Sequence, residues 1–181
     1  MNIYKKNYFC LNQSNAKKII YGFFSRKGGQ SKDNYKFLNC SLSSFDKKKD
    51  VIKNIDIAKE NLDIMNHKLK FIKQTHSSKV IIVNKNNFNT ETEADGMITE
   101  NKKIALSILT ADCAPIFIYD NKSPLICALH SGWRGCLNDI VTNCIKQITA
   151  IDHNINNLNA IVGPCLAKKN FEVSSNFQKN F

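Results

Sequence analysis

This chain has very little arginine. Its positive charge comes from 24 lysines, and only Arg26 and Arg134 carry a guanidinium. Without an arginine-rich face or a ladder of aromatics, the formal charge of +11 is a poor argument for nucleic-acid binding. Lysine and asparagine are spread from end to end, as a biased composition would leave them, so no nucleic-acid partner is expected. No stretch approaches the roughly 20 apolar residues of a membrane span. The polar segment from Met1 to Cys10 has no apolar signal core, so no membrane association is expected either. The seven cysteines (Cys10, Cys40, Cys113, Cys127, Cys136, Cys144 and Cys165) are odd in number and include no closely spaced pair. That disfavours a disulfide framework and a cysteine-only zinc ribbon, and it fits a reducing cytoplasm. With no proline- or glycine-rich linker and no internal repeat, residues 1–181 are expected to form one domain.

What is present reads as a packed α/β chain. The apolar fraction of 43% suits a globular core. Ile19–Phe24, Leu69–Ile72, Val80–Val83, Gly96–Thr99, Ile104–Leu109, Pro115–Tyr119, Leu125–Leu129 and Leu158–Val162 have strand length and are bounded by turn-forming residues. Lys47–Met65 carries an apolar stripe of Val51, Ile52, Ile55, Ala58, Leu62 and Met65, with Asp46 as its expected N-cap. Cys136–Ile151 reads as one helix through Leu137, Ile140, Val141, Cys144, Ile145 and Ile148, with Asp139 in its first turn. Phe171–Phe181 also reads as helical. Strands outnumber helices, so the expected fold is α/β (α+β), with mixed β-sheets flanked by helices.

Chemistry gathers at the strand ends. His76 lies between two expected strands, Cys113 follows one beside Asp112, and His130 ends another before a glycine-rich turn. Two imidazoles and a thiolate suit zinc with an open fourth position, although the long separations match no local metal motif. The same residues also permit Cys113 as a nucleophile activated by His130 or His76, with Asp112 or another acid orienting the imidazole. Taken singly, each is as ordinary as a packed thiol or a loop histidine. Arg134, in Gly132-Trp133-Arg134-Gly135, offers a bidentate grip on phosphate or carboxylate. Arg26, before Gly28 and Gly29, is either a second anion clamp or a surface turn. Trp133 either stacks on a planar ligand or packs beneath its loop. Asp95 either orients a ligand histidine or forms an Asp-Gly turn. His67 and His153 read as solvated surface.

These pieces, in order, resemble the laccase-domain family, also described as purine nucleoside phosphorylases and peptidoglycan editing factors. The matching segments are Gly22–Gly29, Gln74-Thr75-His76, Ala94-Asp95-Gly96, Thr110–Pro115, His130–Gly135, Val162–Cys165 and Phe171-Glu172-Val173. The resemblance implies a layered α/β sandwich and a zinc held by His76, Cys113 and His130. It implies phosphorolysis of adenosine, inosine and methylthioadenosine to the base and ribose 1-phosphate, with hydrolytic deamination of adenosine. In that reading Cys113, His130 and Asp112 are catalytic, Arg134 and Arg26 bind substrate or phosphate, and the partners are small molecules. The alternative under the editing-factor label is a Cys-His hydrolase or amidase acting on a peptidoglycan precursor. The copper chemistry of the laccase label is disfavoured, because four histidines are too few for several coppers. Two departures stand out. Leu38-Asn39-Cys40-Ser41-Leu42-Ser43-Ser44 lacks the family's glycine-rich segment. Relatives also continue past Phe171-Glu172-Val173, so Phe181 is expected to be a truncation point.

Overall fold

The computed structural model describes residues 2–5, 8–11 and 19–180, in two compact units, Met1–His67 and Lys68–Phe181. The first unit holds a three-stranded antiparallel sheet of β1 (Asn2–Lys5), β2 (Tyr8–Leu11) and β3 (Phe23–Phe24), in that order. The expected strand Ile19–Phe24 is cut to two residues, because ladder pairing with β2 reaches only Phe23 and Phe24. Helix α1 spans Lys48–Asn61 and is shorter than the stripe suggested. Val51 is buried, but Ile52 and Met65 are exposed. Lys47, not Asp46, occupies the N-cap. Asp46 instead accepts from the Lys47 N–H at 2.7 Å and from the Asn39 side-chain amide at 3.0 Å, which ties the preceding loop together.

The buried face of α1 has a polar centre. Asn54 is fully buried, accepting from the Gln30 N–H at 2.7 Å and donating to Ser31 Oγ, Phe37 O and Asn39 O. One amide thus satisfies a loop that runs alongside the helix.

The second unit is built on a five-stranded sheet. Its strands are β5 (Val80–Ile82), β6 (Gly96–Thr99), β8 (Ala114–Asp120), β9 (Ile126–Ser131) and β10 (Leu158–Val162), in the order β10-β8-β9-β6-β5. The β5–β6 pair is parallel and the others are antiparallel, so the sheet is mixed as expected. A parallel pair, β4 (Lys68–Lys70) with β7 (Ile104–Leu106), forms a second small sheet.

Period-two alternation divides the apolar side chains between two faces. On β5 and β6, Val80 and Ile98 join Leu129 against Ile140, Cys144 and Ile148 of the helix α3 (Ile140–Ala150). Their sequence neighbours Ile81 and Met97 turn to the other face, toward Val83, Ile104 and Leu106. The result is a layered α/β arrangement of helix, mixed sheet and small sheet. Among the described residues, no helix is long and apolar enough to cross a membrane.

The helix expected over Cys136–Ile151 is two helices, α2 (Trp133–Leu137) and α3. The break falls at Asn138 and Asp139, residue types that tolerate the left-handed region, and Asp139 has φ 56°. Asn138 closes α2 by donating both its main-chain N–H and its side-chain amide to Arg134 O. Asp139 is therefore the N-cap of α3, without a side-chain capping bond, and not part of a first turn. Leu137 and Val141 leave the stripe and are exposed. The expected C-terminal helix is replaced by short 3-10 turns at Lys168–Asn170 and Phe177–Asn180, while Phe181 lies outside the described residues.

Candidate metal centre

The antiparallel β8–β9 register places Ala114 opposite Ser131 and Pro115 opposite His130. Cys113, just before β8, and His130, near the end of β9, therefore meet at one end of the sheet. His76 arrives from the loop before β5. The ligand atoms of His76, Cys113 and His130 lie within 4.8 Å of one another. The two imidazoles meet edge to face, with centroids 4.8 Å apart. His76 is exposed, Cys113 half-buried and His130 buried, so the cluster opens toward solvent on the His76 side.

Asp95 organises this convergence. It is fully buried and sits at the start of β6. One carboxylate oxygen lies 2.8 Å from His130 Nδ1 and accepts the His76 N–H at 3.0 Å. The other accepts from Ser77 N–H at 2.6 Å, Ser77 Oγ at 2.7 Å and Thr75 N–H at 3.2 Å. The Asp95 carbonyl also accepts the His130 N–H at 2.7 Å. His76 has φ 58°, a left-handed conformation that costs energy for a residue with a Cβ. The bonds from both sides of it to Asp95 hold it there. Burial alone would raise the Asp95 carboxyl, but the bonds from His130, Ser77 and Thr75 outweigh burial and keep it below the usual aspartate value. Of the two readings open for Asp95, the acid that orients a histidine is the one the geometry bears out.

The residues fit a metal ion. With Nδ1 engaged by Asp95, His130 presents Nε2, the carboxylate–histidine arrangement common around bound zinc. Gly132 leaves room for the cluster: a Cβ there would come to 3.0 Å from both Cys113 Sγ and His76 Cδ2. Burial, and then the charges of Asp112 and Asp95, push the Cys113 thiol up from its usual value. A raised thiol is a weak nucleophile, whereas a bound cation removes its proton and reverses the effect.

The remaining candidates are more dispersed. Asp112 is exposed, and its carbonyl accepts the Leu166 N–H at 2.9 Å. It does not hold His130; Asp95 does. Arg134 lies inside α2, with its guanidinium 4.4 Å above the Trp133 ring. Trp133 also packs edge-on against Phe177, with centroids 5.0 Å apart. Arg26 belongs to the first unit, where its Nε donates to Lys36 O at 3.0 Å and its carbonyl accepts from Phe37 and Leu38. Gly29 is required beside it, because a Cβ would come to 2.1 Å from Phe37 O.

Three residues had no role in the sequence reading. Ser77 supplies two donors to Asp95, and Gln74 hydrogen-bonds both main-chain groups of Leu109. His153 is not solvated: its Nδ1 lies 3.1 Å from Ser123 Oγ and 3.2 Å from Asp120, and its Nε2 lies 3.1 Å from Glu100. His67 is half-buried, with Nδ1 lacking a partner among the described residues. In the sequence, Gln74 was marked by the matching segment Gln74-Thr75-His76, and Ser77 only by its position after His76.

A family model described as multi-copper polyphenol oxidoreductase laccase matches residues 20–181. The chain belongs to this family. It is 32% identical over 165 residues to purine nucleoside phosphorylase YlmD of Bacillus subtilis, a match covering 86% of this chain and 59% of that protein. It is 27% identical to purine nucleoside phosphorylase RP494 of Rickettsia prowazekii, covering 91% of this chain and 65% of the relative. The chain thus spans less than two thirds of the length of either relative. Its fold is similar to the crystal structure of YlmD from Geobacillus stearothermophilus, with a TM-score of 0.82 at 22% identity, over 90% of this chain and 64% of that one.

Proposed function

We propose that this chain is a zinc-dependent purine nucleoside phosphorylase that also deaminates adenosine, acting as a transferase and a hydrolase on small molecules. The observation that carries the reading is the His76–Cys113–His130 cluster, with His130 oriented by a buried carboxylate. The names of the similar Bacillus and Rickettsia proteins support the substrate class. The family match runs through both compact units, which supports their serving one activity as a single domain. The free thiols among the described residues suit a reducing cytoplasm.

Zinc is the metal that two imidazoles and one thiolate favour, and when bound it supplies Lewis-acid and water-activating chemistry. His76, Cys113 and His130 would hold it. The chain's own residues do the remaining work. In phosphorolysis a phosphate oxygen bonds to the ribose C1′, the bond to the purine breaks with its electron pair going to the base, and a proton reaches the ring. Arg134, with its guanidinium 4.4 Å above the Trp133 ring, would offer its N–H fork as a bidentate grip on phosphate. Arg26, within the first unit, is a further candidate to bind an anion. Asp112, exposed beside Cys113, would exchange a proton with the base. In deamination a water oxygen replaces the amino group of adenosine, and ammonia leaves.

A second reading has one observation in its favour. Cys113, His130 and Asp95 form the contiguous thiol–imidazole–carboxylate set of a cysteine hydrolase, which could act on a peptidoglycan precursor. The raised Cys113 thiol argues against it. The test is adenosine cleavage with and without phosphate on the zinc-loaded chain, beside Cys113→Ser. Phosphate-dependent release of adenine, lost in the variant together with zinc, supports the proposal. Hydrolysis of a peptidoglycan precursor by a metal-free chain that does not cleave adenosine, with rapid alkylation of Cys113, would support the hydrolase instead.

A further inference from the structure

We propose that Gln74 is a positioning residue of the metal centre, holding the loop of His76 and the loop of Cys113 at ligand spacing. The inference rests on the metal-centre reading above. Gln74 lies two residues before His76. Its side-chain amide donates to Leu109 O at 2.8 Å, and its oxygen accepts the Leu109 N–H at 2.9 Å. Leu109 opens the turn that carries Asp112 and Cys113. A primary amide can pair with both main-chain groups of one residue, as a neighbouring strand would.

The main chain explains why a side chain is needed there. Strands β4 and β7 pair in parallel through Lys70 and Leu106, and the Ser107 N–H donates to Lys70 O. Past that point the first loop turns away. Lys73 bridges to Glu93, and Thr75, His76 and Ser77 bond to Asp95. Among the described residues, the Gln74 amide supplies the hydrogen bonds between residues 71–79 and 108–113. Asp95 joins the His76 loop to His130, and Gln74 joins the same loop to the Cys113 segment. Each pair of ligand loops that includes His76 thus has its own polar tie. A ligand set preformed in this way does not have to order its loops when the ion arrives.

The test measures zinc affinity by competition with a chromophoric chelator on the full chain. The proteins compared are wild type, Gln74→Ala, Gln74→Glu and a control, Thr99→Val. The expected loss for Gln74→Ala is about 10- to 100-fold, the range typical of groups that orient metal ligands. Gln74→Glu preserves the shape and the bond from the Leu109 N–H but sets a carboxylate oxygen against Leu109 O. It too is expected to bind zinc at least several-fold more weakly, and it decides the matter if Gln74→Ala does not fold. Thr99→Val removes another buried side-chain bond, from Thr99 Oγ1 to Val83 O, so its Tm should fall while zinc affinity stays. With cobalt as probe, the thiolate-to-metal absorption band should weaken in the Gln74 variants at a fixed metal concentration. Gln74 variants that lose Tm but bind zinc within about twofold of wild type would overturn the inference. A wild-type chain that binds neither zinc nor cobalt would instead overturn the metal-centre reading beneath it.

Discussion

His130 and His153 sit at opposite ends of the same strand pair, and each has its Nδ1 against a buried aspartate. His130 meets Asp95 at 2.8 Å beside the start of β8, and His153 meets Asp120 at 3.2 Å beside its end. The difference lies on the other ring nitrogen. The Nε2 of His153 faces Glu100 at 3.1 Å, so both of its nitrogens are engaged within the protein. The Nε2 of His130 is left to its neighbours His76 and Cys113. The same His–Asp pairing thus closes a clip in one place and orients a candidate metal ligand in the other. Whether the second nitrogen is engaged decides which, and sequence alone does not reveal it.

Removing the aspartate at the ligand end should have the largest effect. Asp95→Asn turns one of the two accepting oxygens into an NH2 donor, so either His130 and His76 or Ser77 and Thr75 lose their acceptor. We expect zinc affinity to fall about 10- to 100-fold and stability to fall by about 3–5 kcal/mol, measured by chelator competition and urea unfolding. The same variant tests the pH behaviour. Because the folded-state Asp95 carboxyl lies below the usual value, its contribution is complete above the unfolded value of about 3.9 and is lost as pH falls through the folded one. Acid unfolding of wild type should therefore steepen below about pH 4, and Asp95→Asn should lack that component. Curves of equal slope in that window would refute the role.

Gly132→Ala comes next. Its backbone, with φ −76°, accepts alanine, so any harm must come from the new methyl at 3.0 Å from Cys113 Sγ and His76 Cδ2. We expect about 1–3 kcal/mol of overpacking together with weaker zinc binding. Unchanged binding would mean that the three ligands tolerate a wider spacing.

His153→Gln sharpens the contrast from the clip end. It should cost about 1–2 kcal/mol in thermal or urea unfolding and leave zinc content at the wild-type level. Loss of zinc would show that the two ends of the strand pair are not independent. The smallest effect expected is that of Trp133→Leu, which removes the platform under Arg134. A cation–π contact at an accessible site is worth about 0.5–1 kcal/mol, so phosphate half-saturation should rise about two- to fivefold. An unchanged phosphate dependence would remove Trp133 from the phosphate site.

Much of this was legible in the residues. The strands of the large sheet announced themselves by apolar runs between turn formers, and β6 and β9 fall close to their expected limits. The His76, Cys113 and His130 candidates converge because each sits at a strand end, a local property. The rest depended on contacts distant in sequence or on backbone geometry. The apolar stripe ran through Leu137 and Val141 without a gap, so nothing in its period revealed the left-handed turn at Asp139 that splits the helix. The sequence left Asp95 open between an acid orienting a histidine and an Asp-Gly turn, because its partners lie 18 to 20 and 35 residues away. His153 looked solvated because its neighbours in sequence are polar. The residues that bury it, Asp120 and Glu100, come from the far ends of two strands.

His130, unlike His153, keeps a ring nitrogen available for a metal ion. Elemental analysis of purified wild type, His130→Ala and His153→Gln tests it directly. About one zinc per chain is expected in wild type and in His153→Gln, and almost none in His130→Ala. Wild type without zinc, or equal zinc in all three proteins, would contradict it.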